Sequence, residues 1–513
     1  MNESLGVVLI LGIILPPLLT AITCSFSTSE VKRLGILTFF ASILSFGFSV
    51  ALPFFILSQS SQVLLIPLFP FDLYVDALST YFILLINVVA LFASYFTIFI
   101  KGDEEESGNE PESTKTFHAQ FNLFHFSMLL VPMVDNLVLL WVLIVVTTVF
   151  SAPLIGFRHN RRAQEAAWKY IMISSSGVVF ALLGTIILAG AFSSNIQIDM
   201  SWANLIRALN THSLQVRPGG QGIVRLSFLL VLLGYGTKAG LFPMHTWLPD
   251  GHGEAPSPVS SLLSGVLLKC ALYVILRFYV ITNLALMGNQ FTSNVLLAFG
   301  LLSLVIATPF ILKQNRFKRV LAYHSLEHMG IITFGFGLGI PLAFFGALLH
   351  ALNHAFAKAL MFLNYGTIQT AYAKEHIEDE KIRGVFQIMP MTGAILALGG
   401  LALVGMPAFN IFFSEFIILM AALQNAQGNP YGIVVVILFL ISVTLIFAGL
   451  VVHLGRILLG TSPILPGKIH EHWRQLIPLG ILLILLIYGG FTTFPLTTLL
   501  QQSVCILSYG GCK

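Results

Sequence analysis

Residues Gly234–Phe278 read GYGTKAGLFPMHTWLPDGHGEAPSPVSSLLSGVLLKCALYVILRF. Lys238 and Lys269 lie inside apolar runs that Pro243, Pro249, Pro256 and Pro258 interrupt. A charged group in hydrocarbon costs roughly 2.5–3.5 kcal/mol on insertion scales, so a lysine persists there where it faces a wet or polar interior. The stretch predicts membrane helices that handle ions or protons.

The rest of the chain agrees. Of its 513 residues, 56% are hydrophobic and only 9% charged, with a mean hydropathy of +0.89. Globular domains carry about a quarter charged residues, so the composition predicts an all-α polytopic membrane protein with spans of roughly 20 apolar residues. Ten-residue segments of alternating polarity are absent, which argues against a barrel. The net charge of +4 is spread over short loops and forms no basic stripe, so no nucleic-acid partner is expected. The N-terminal run MNESLGVVLILGIILPPLLTAITC lacks a basic leader and a small-residue cleavage site, and reads as a retained first span. Cys24, Cys270, Cys505 and Cys512 show no metal spacing. Cys505 and Cys512 are read either as free thiols or as a disulfide in a periplasmic tail.

Apolar runs fall near 5–24, 33–58, 78–100, 119–134, 136–156, 167–192, 225–247, 257–281, 292–312, 320–338, 342–370, 389–421, 432–459 and 476–499, giving fourteen expected spans. With a periplasmic N-terminus, the odd-numbered connections are cytoplasmic. They hold Lys32/Arg33, Arg158/Arg161/Arg162, Lys313/Arg316/Lys318/Arg319, Lys374/Lys381/Arg383 and Arg456/Lys468/Arg474. This positive-inside bias places both termini outside a bacterial inner membrane. The acidic segment KGDEEESGNEPESTK reads as a solvated or partner-contacting loop. The seventh run is broken after Lys238 by Pro243, and the twelfth is broken at Pro407 before Glu415. Paired broken helices mark inverted-repeat transport folds. The expected division is 1–118 (three helices and the acidic loop), 119–281 and 292–459 (two inverted five-helix repeats), and 460–513 (a last helix and tail).

Several residues are candidates for the chemistry. A buried lysine can take and release a proton, and the break beside Lys238 supplies the wet backbone that a relay needs. Lys269 is mid-span, two turns before Arg277. In LLHALNHAFAKALMFLNYG, His350, His354 and Lys358 recur at i, i+4 and i+8 and share one helical face. They read as a proton wire or as imidazoles bonded to neighbouring helices. The HxxxH spacing also suits a metal, but no acidic or cysteine ligand joins it in that helix, so no metal is expected. Glu415 reads as the end of a relay, a partner of Lys358 or a helix-pairing group. Glu327 and His328 are expected at a cytoplasmic mouth, in an entry or an interfacial structural role. Lys169 near Glu165 is expected either to snorkel or to form a charge pair at a proton entrance. His245, in the HTWLPD turn, is an auxiliary candidate.

At these residues a family resemblance becomes specific. KAGLFPMHTWLPDGHGEAPSPVSSLLSGVLLKCALY, KRVLAYHSLEHMGIITFGFG, HAFAKALMFLNYGTI and GMPAFNIFFSEFIIL resemble the antiporter-like subunits of respiratory complex I, cation/proton antiporter complexes and membrane-bound hydrogenases. With EAAWKY they are most similar to the F component of the hydrogenase-4 group. The resemblance runs from about Asp72 to Arg456. It implies fourteen helices, two inverted repeats, no redox cofactor, and a proton path through Lys238, Lys269, His354, Lys358 and Glu415. It also implies other membrane-complex subunits as partners.

The sequence departs from the pattern at two places. The family's fifth span carries a glutamate that pairs with the seventh-span lysine, where this chain aligns Val145. His324 stands where a small hydroxyl residue is common. The first half-channel is therefore expected to be altered or inactive. Three functions follow. The leading one is a proton-translocating subunit coupled to a partner. The others are a proton-flux subunit of an inorganic-carbon uptake complex with a large soluble zinc-binding, carbonic-anhydrase-like partner, and a non-conducting anchor.

Overall fold

In hydrocarbon every amide needs a partner within its own segment, and the apolar runs accordingly fold as helices. The computed structural model describes residues 2–27, 31–59, 63–67, 72–100, 110–193, 200–427, 431–465 and 467–510. In chain order the helices are α1 (Asn2–Phe26), α2 (Val31–Ser58), α3 (Ala77–Thr97), α4 (Glu110–Leu130), α5 (Leu137–Ile155), α6 (Arg161–Ala191), α7 (Trp202–Asn210), α8 (Gln221–Ala239), α9 (Leu248–Glu254), α10 (Ser257–Leu262) and α11 (Leu268–Ala285). They continue as α12 (Phe291–Lys313), α13 (Phe317–Gly337), α14 (Pro341–Ala373), α15 (Val385–Ile388), α16 (Pro390–Leu403), α17 (Asn410–Ala426), α18 (Gly432–Leu458), α19 (Trp473–Tyr488) and α20 (Thr497–Tyr509). Two short antiparallel hairpins, Leu64–Ile66 with Leu73–Val75 and Phe192–Ser193 with Gln215–Val216, lie in connections.

The fold is the expected all-α polytopic one. Nine helices among the described residues are long and apolar enough to cross a membrane, and α16, α17 and α19 are shorter apolar helices. Three sequence expectations need correction. Helix α4 begins at Glu110, so the end of the acidic segment is helical; its Lys101–Asn109 part lies outside the described residues. The fourteenth run stops at Tyr488, where Gly489 and Gly490 follow, and the chain resumes as α20 where the sequence suggests only a tail. Helix α7 has no counterpart among the expected spans, although Ser201 caps it and Trp202, Leu205, Ile206 and Leu209 form its buried stripe. Cys24 and Cys270 are free and buried. The Cys505–Cys512 alternative involves Cys512, outside the described residues.

Two devices hold the helices that carry the site. Arg277 on α11 forks onto Asp76, donating from Nη1 and Nη2 at 2.8 Å each, while its guanidinium lies 4.1 Å from the Trp202 ring centroid. Asp76 also caps α3 by accepting from Ser79 N at 2.8 Å. A buried pair of this kind is satisfied only by such additional bonds. Helices α6 and α8 approach so closely that a Cβ on Gly234 would stand 2.4 Å from Ala181 N, so only glycine fits. That contact brings Tyr170 of α6 over Lys238 of α8.

Candidate functional site

The 3.6-residue period of α14 sets His350, His354 and Lys358 on one face. All three are fully buried, against α13, α17 and the α10–α11 segment. Between α10 and α11 the chain makes a π turn at Leu263–Leu267. Such a turn interrupts the i−4 ladder, and Lys269 Nζ donates to the Ser264 carbonyl at 2.9 Å. The same Nζ lies 2.5 Å from His354 Nδ1. The His354 and His328 rings are 4.6 Å apart between centroids. His328 Nδ1 then lies 3.0 Å from His350 Nε2, and His350 Nδ1 lies 3.0 Å from Ser414 Oγ. Glu415, the next residue on α17, places a carboxylate oxygen within 4.8 Å of ring nitrogens of His328 and His350. Imidazoles in line can accept a proton at one nitrogen and release another from the opposite one.

The break between α16 and α17 is built for this carboxylate. Gly405 has a φ of +69°, and a Cβ there would stand 2.4 Å from Glu415 Oε2. Asn353 of α14 donates to Asn410 O at 2.7 Å and to Ser414 Oγ at 3.1 Å, and Asn410 Nδ2 returns a bond to Asn353 Oδ1 at 3.0 Å. These bonds fix the start of α17 on the histidine line.

Lys358 turns toward α13 and donates to the Leu321 carbonyl. No ion pair joins it to Glu415 among the described residues, so of the roles open to Glu415 the pairing with Lys358 is not formed in this structure. Glu327 and His328 are corrected as well. They occupy no mouth: their side chains are 2% and 0% exposed, because α13 is enclosed by α9, α12 and α14. His324 Nδ1 lies 2.6 Å from Glu327 Oε2, and the same oxygen lies 4.0 Å from His328 Nε2. His324, Glu327 and His328, and separately His328, His350 and Glu415, are groups whose donor atoms are near enough to hold a metal ion. The carboxylates missing from the HxxxH helix are supplied by α13 and α17.

Lys238 sits in different surroundings. It is fully buried and donates to Thr148 Oγ1 at 2.6 Å and to the Tyr170 hydroxyl, with Nζ 4.5 Å from the Tyr170 ring centroid. Tyr170 and Ser151 share a hydrogen bond of 2.7 Å. Among the described residues these partners are hydroxyls, and no carboxylate pairs with Lys238. Val145, three residues before Thr148, is half-buried and packed on the core. Helix α8 ends at Gly240, and Trp247 Nε1 satisfies the freed Thr237 carbonyl at 2.8 Å.

Lys169 resolves as a charge pair. It reaches Glu165 at 2.6 Å and Asp250 at 3.1 Å, and Arg319 joins Asp250 at 2.8 Å. His245 is buried, with its ring near Phe242 and Phe310. Sequence reasoning missed His252, fully buried between Trp247 and Phe362 at ring-centroid distances of 5.6 and 6.1 Å. Its place in PDGHGEAP, between two prolines of the opening stretch, was the available signal. It also missed a polar face on α4: His118 lies 3.2 Å from Thr38 Oγ1, Asn122 donates to the same oxygen, and His125 lies 3.0 Å from Asn87 Oδ1.

A family model described as NADH:quinone oxidoreductase/Mrp antiporter, TM, matches residues 134–442. The chain is 35% identical over 356 residues to a hydrogenase-4 component F homolog of Methylacidiphilum infernorum (isolate V4), covering 69% of this chain and 73% of that one. Two solved structures share the fold. A chain of the membrane-bound sulfane sulfur reductase, an archaeal respiratory membrane complex, superposes with a TM-score of 0.80 at 24% identity, over 98% of both chains. A chain of the Mrp complex from Dietzia sp. DQ12-45-1b gives 0.81 at 17% identity, over 99% of this chain and 97% of that one.

Proposed function

Since the chain belongs to the NADH:quinone oxidoreductase/Mrp antiporter transmembrane family, we propose that it is a proton-translocating membrane subunit of a multi-subunit energy-converting complex. Protons move through Lys269, His354, His328, His350 and Glu415, with Lys358 as the charge beside that line and Lys238 as the corresponding lysine of the first half. The observation that carries this reading is the close succession of titratable groups from Lys269 to Glu415, buried among apolar helices, in which His354 and His328 meet ring to ring. Intramembrane ionisable residues of this kind mark ion or proton pathways.

The broken elements α8–α9 and α16–α17 support an arrangement as two inverted repeats, 119–281 and 292–459. The basic connections support periplasmic termini in a bacterial inner membrane. Redox or binding events occur in a partner subunit, and this chain converts them to proton movement. A large soluble zinc-binding subunit is one identity for that partner, which co-purification of the native complex decides. The hydroxyl-only shell of Lys238 favours one further reading, in which the first half conducts little.

The test is proton flux through the intact complex in sealed vesicles, for wild type, Lys238→Ala and Lys358→Ala. Unchanged flux in both variants sinks the relay.

A further inference from the structure

We propose that His324 and Glu327 form a proton-holding dyad that branches from the histidine line at His328. The inference rests on the proton-translocation reading above and adds a site to it.

His324 and Glu327 lie one turn apart on α13, and their Nδ1 and Oε2 atoms are 2.6 Å apart. At that distance a single proton is shared, and the pair titrates as one unit. His328, at i+1 from Glu327, faces the dyad with Nε2, 4.0 Å from Glu327 Oε2, and faces the line with Nδ1, 3.0 Å from His350 Nε2. Each ring nitrogen of His328 thus points to a different titratable neighbour. His324 Nε2 and His328 Nε2 are buried without a hydrogen-bond partner, which leaves both imidazoles with capacity to gain a bond or a proton.

Lys358 is held against α13 through the Leu321 carbonyl, one helical turn before His324, and Glu415 faces His328 and His350.

The transfer balances. The Glu327 carboxyl gives its proton to His328 Nε2 after a small side-chain rotation closes the gap, and His328 releases its Nδ1 proton to His350 Nε2. The carboxylate left behind accepts the next proton from His324 Nδ1, and His324 takes the replacement proton at Nε2. A divalent metal is the competing occupant of these donors. Lys269 Nζ, 2.5 Å from the His354 ring that neighbours His328, opposes a dication when it is protonated.

The experiment uses the intact complex in sealed vesicles, with proton flux, infrared difference spectra of protonated carboxyl groups and elemental analysis for zinc. Variants are Glu327→Gln, Glu327→Asp and His324→Asn, with Lys358→Ala and Lys238→Ala as the references for the relay. The dyad predicts that Glu327→Gln slows flux by about 10²-fold, the scale of a removed proton-transfer group. It also predicts loss of one protonated-carboxyl band, substantial rescue by Glu327→Asp, and slowed flux in His324→Asn, which keeps the carboxylate. Wild-type flux in Glu327→Gln and His324→Asn, with flux lost in Lys358→Ala, overturns the dyad and leaves the relay standing. Wild-type flux in Lys358→Ala and in Lys238→Ala together overturns both. Zinc bound one per chain in wild type and lost in Glu327→Gln also overturns it, since the site would then be a metal site.

Discussion

Lys238 and Lys358 are both lysines buried inside helices, yet they are solvated by different chemistry. Around Lys238 the polar atoms are hydroxyls: Thr148 and Tyr170 directly, Ser151 behind them. Lys358 is held against α13, the helix that carries His324, Glu327 and His328, and lies one turn along α14 from His354. A hydroxyl shell stabilises an ammonium by hydrogen bonds but offers no site of comparable proton affinity to receive what the lysine releases. An imidazole and carboxylate shell offers several. The difference teaches that a lysine inside a membrane is not by itself a relay. The next proton acceptor along the path decides.

This contrast is open to attack at several points. The largest effect is expected from His354→Leu, which opens the line between Lys269 and His328. Flux through the intact complex should fall by about 10²-fold, while assembly, judged by co-purification, persists. Lys238→Ala should cost less than about tenfold in flux, because its surroundings lack a following acceptor. Val145→Glu tests the cause of that weakness. Val145 lies three residues from Thr148, on the same face of α5, so the new carboxylate can reach Lys238. Flux should then rise a few-fold over wild type and become sensitive to Lys238→Ala. An unchanged flux would mean that a carboxylate at this position does not supply what the first half lacks. The smallest effect belongs to Tyr170→Phe. It removes one hydrogen bond from Lys238 and should lower stability by about 1 kcal/mol in thermal unfolding, with the histidine line untouched.

Both halves also depend on one pin. Arg277→Ala leaves Asp76 buried and uncompensated, and the expected cost is about 3–5 kcal/mol. Thermal unfolding of the detergent-solubilised complex checks it, and a shift as small as that of Tyr170→Phe would show that the pair carries little.

Much of the site was legible because helical period alone puts His350, His354 and Lys358 on one face. The breaks after Lys238 and before Glu415 were equally plain, since Pro243 and Pro407 mark them. The environment of Glu327 was not legible. Its place near the start of an apolar run suggests an interface, and only the packing of α9, α12 and α14 around α13 buries it. The Asp76–Arg277 pair spans 201 residues, and no local pattern announces such a contact. Nor does the π turn at Leu263–Leu267 have a composition of its own; it is recognised by the Ser264 carbonyl that Lys269 uses. That position 145 offers no carboxylate is plain from the residue itself. Which groups surround Lys238 instead depends on α6, and so on the glycine that lets α6 approach α8.

The central claim is that the two lysines are unequal because their neighbours are. Its most direct measurement is the proton flux of the intact complex in sealed vesicles with Lys358→Ala and Lys238→Ala compared side by side. The account predicts that Lys358→Ala loses at least about tenfold more flux than Lys238→Ala. Equal losses in the two variants would contradict it.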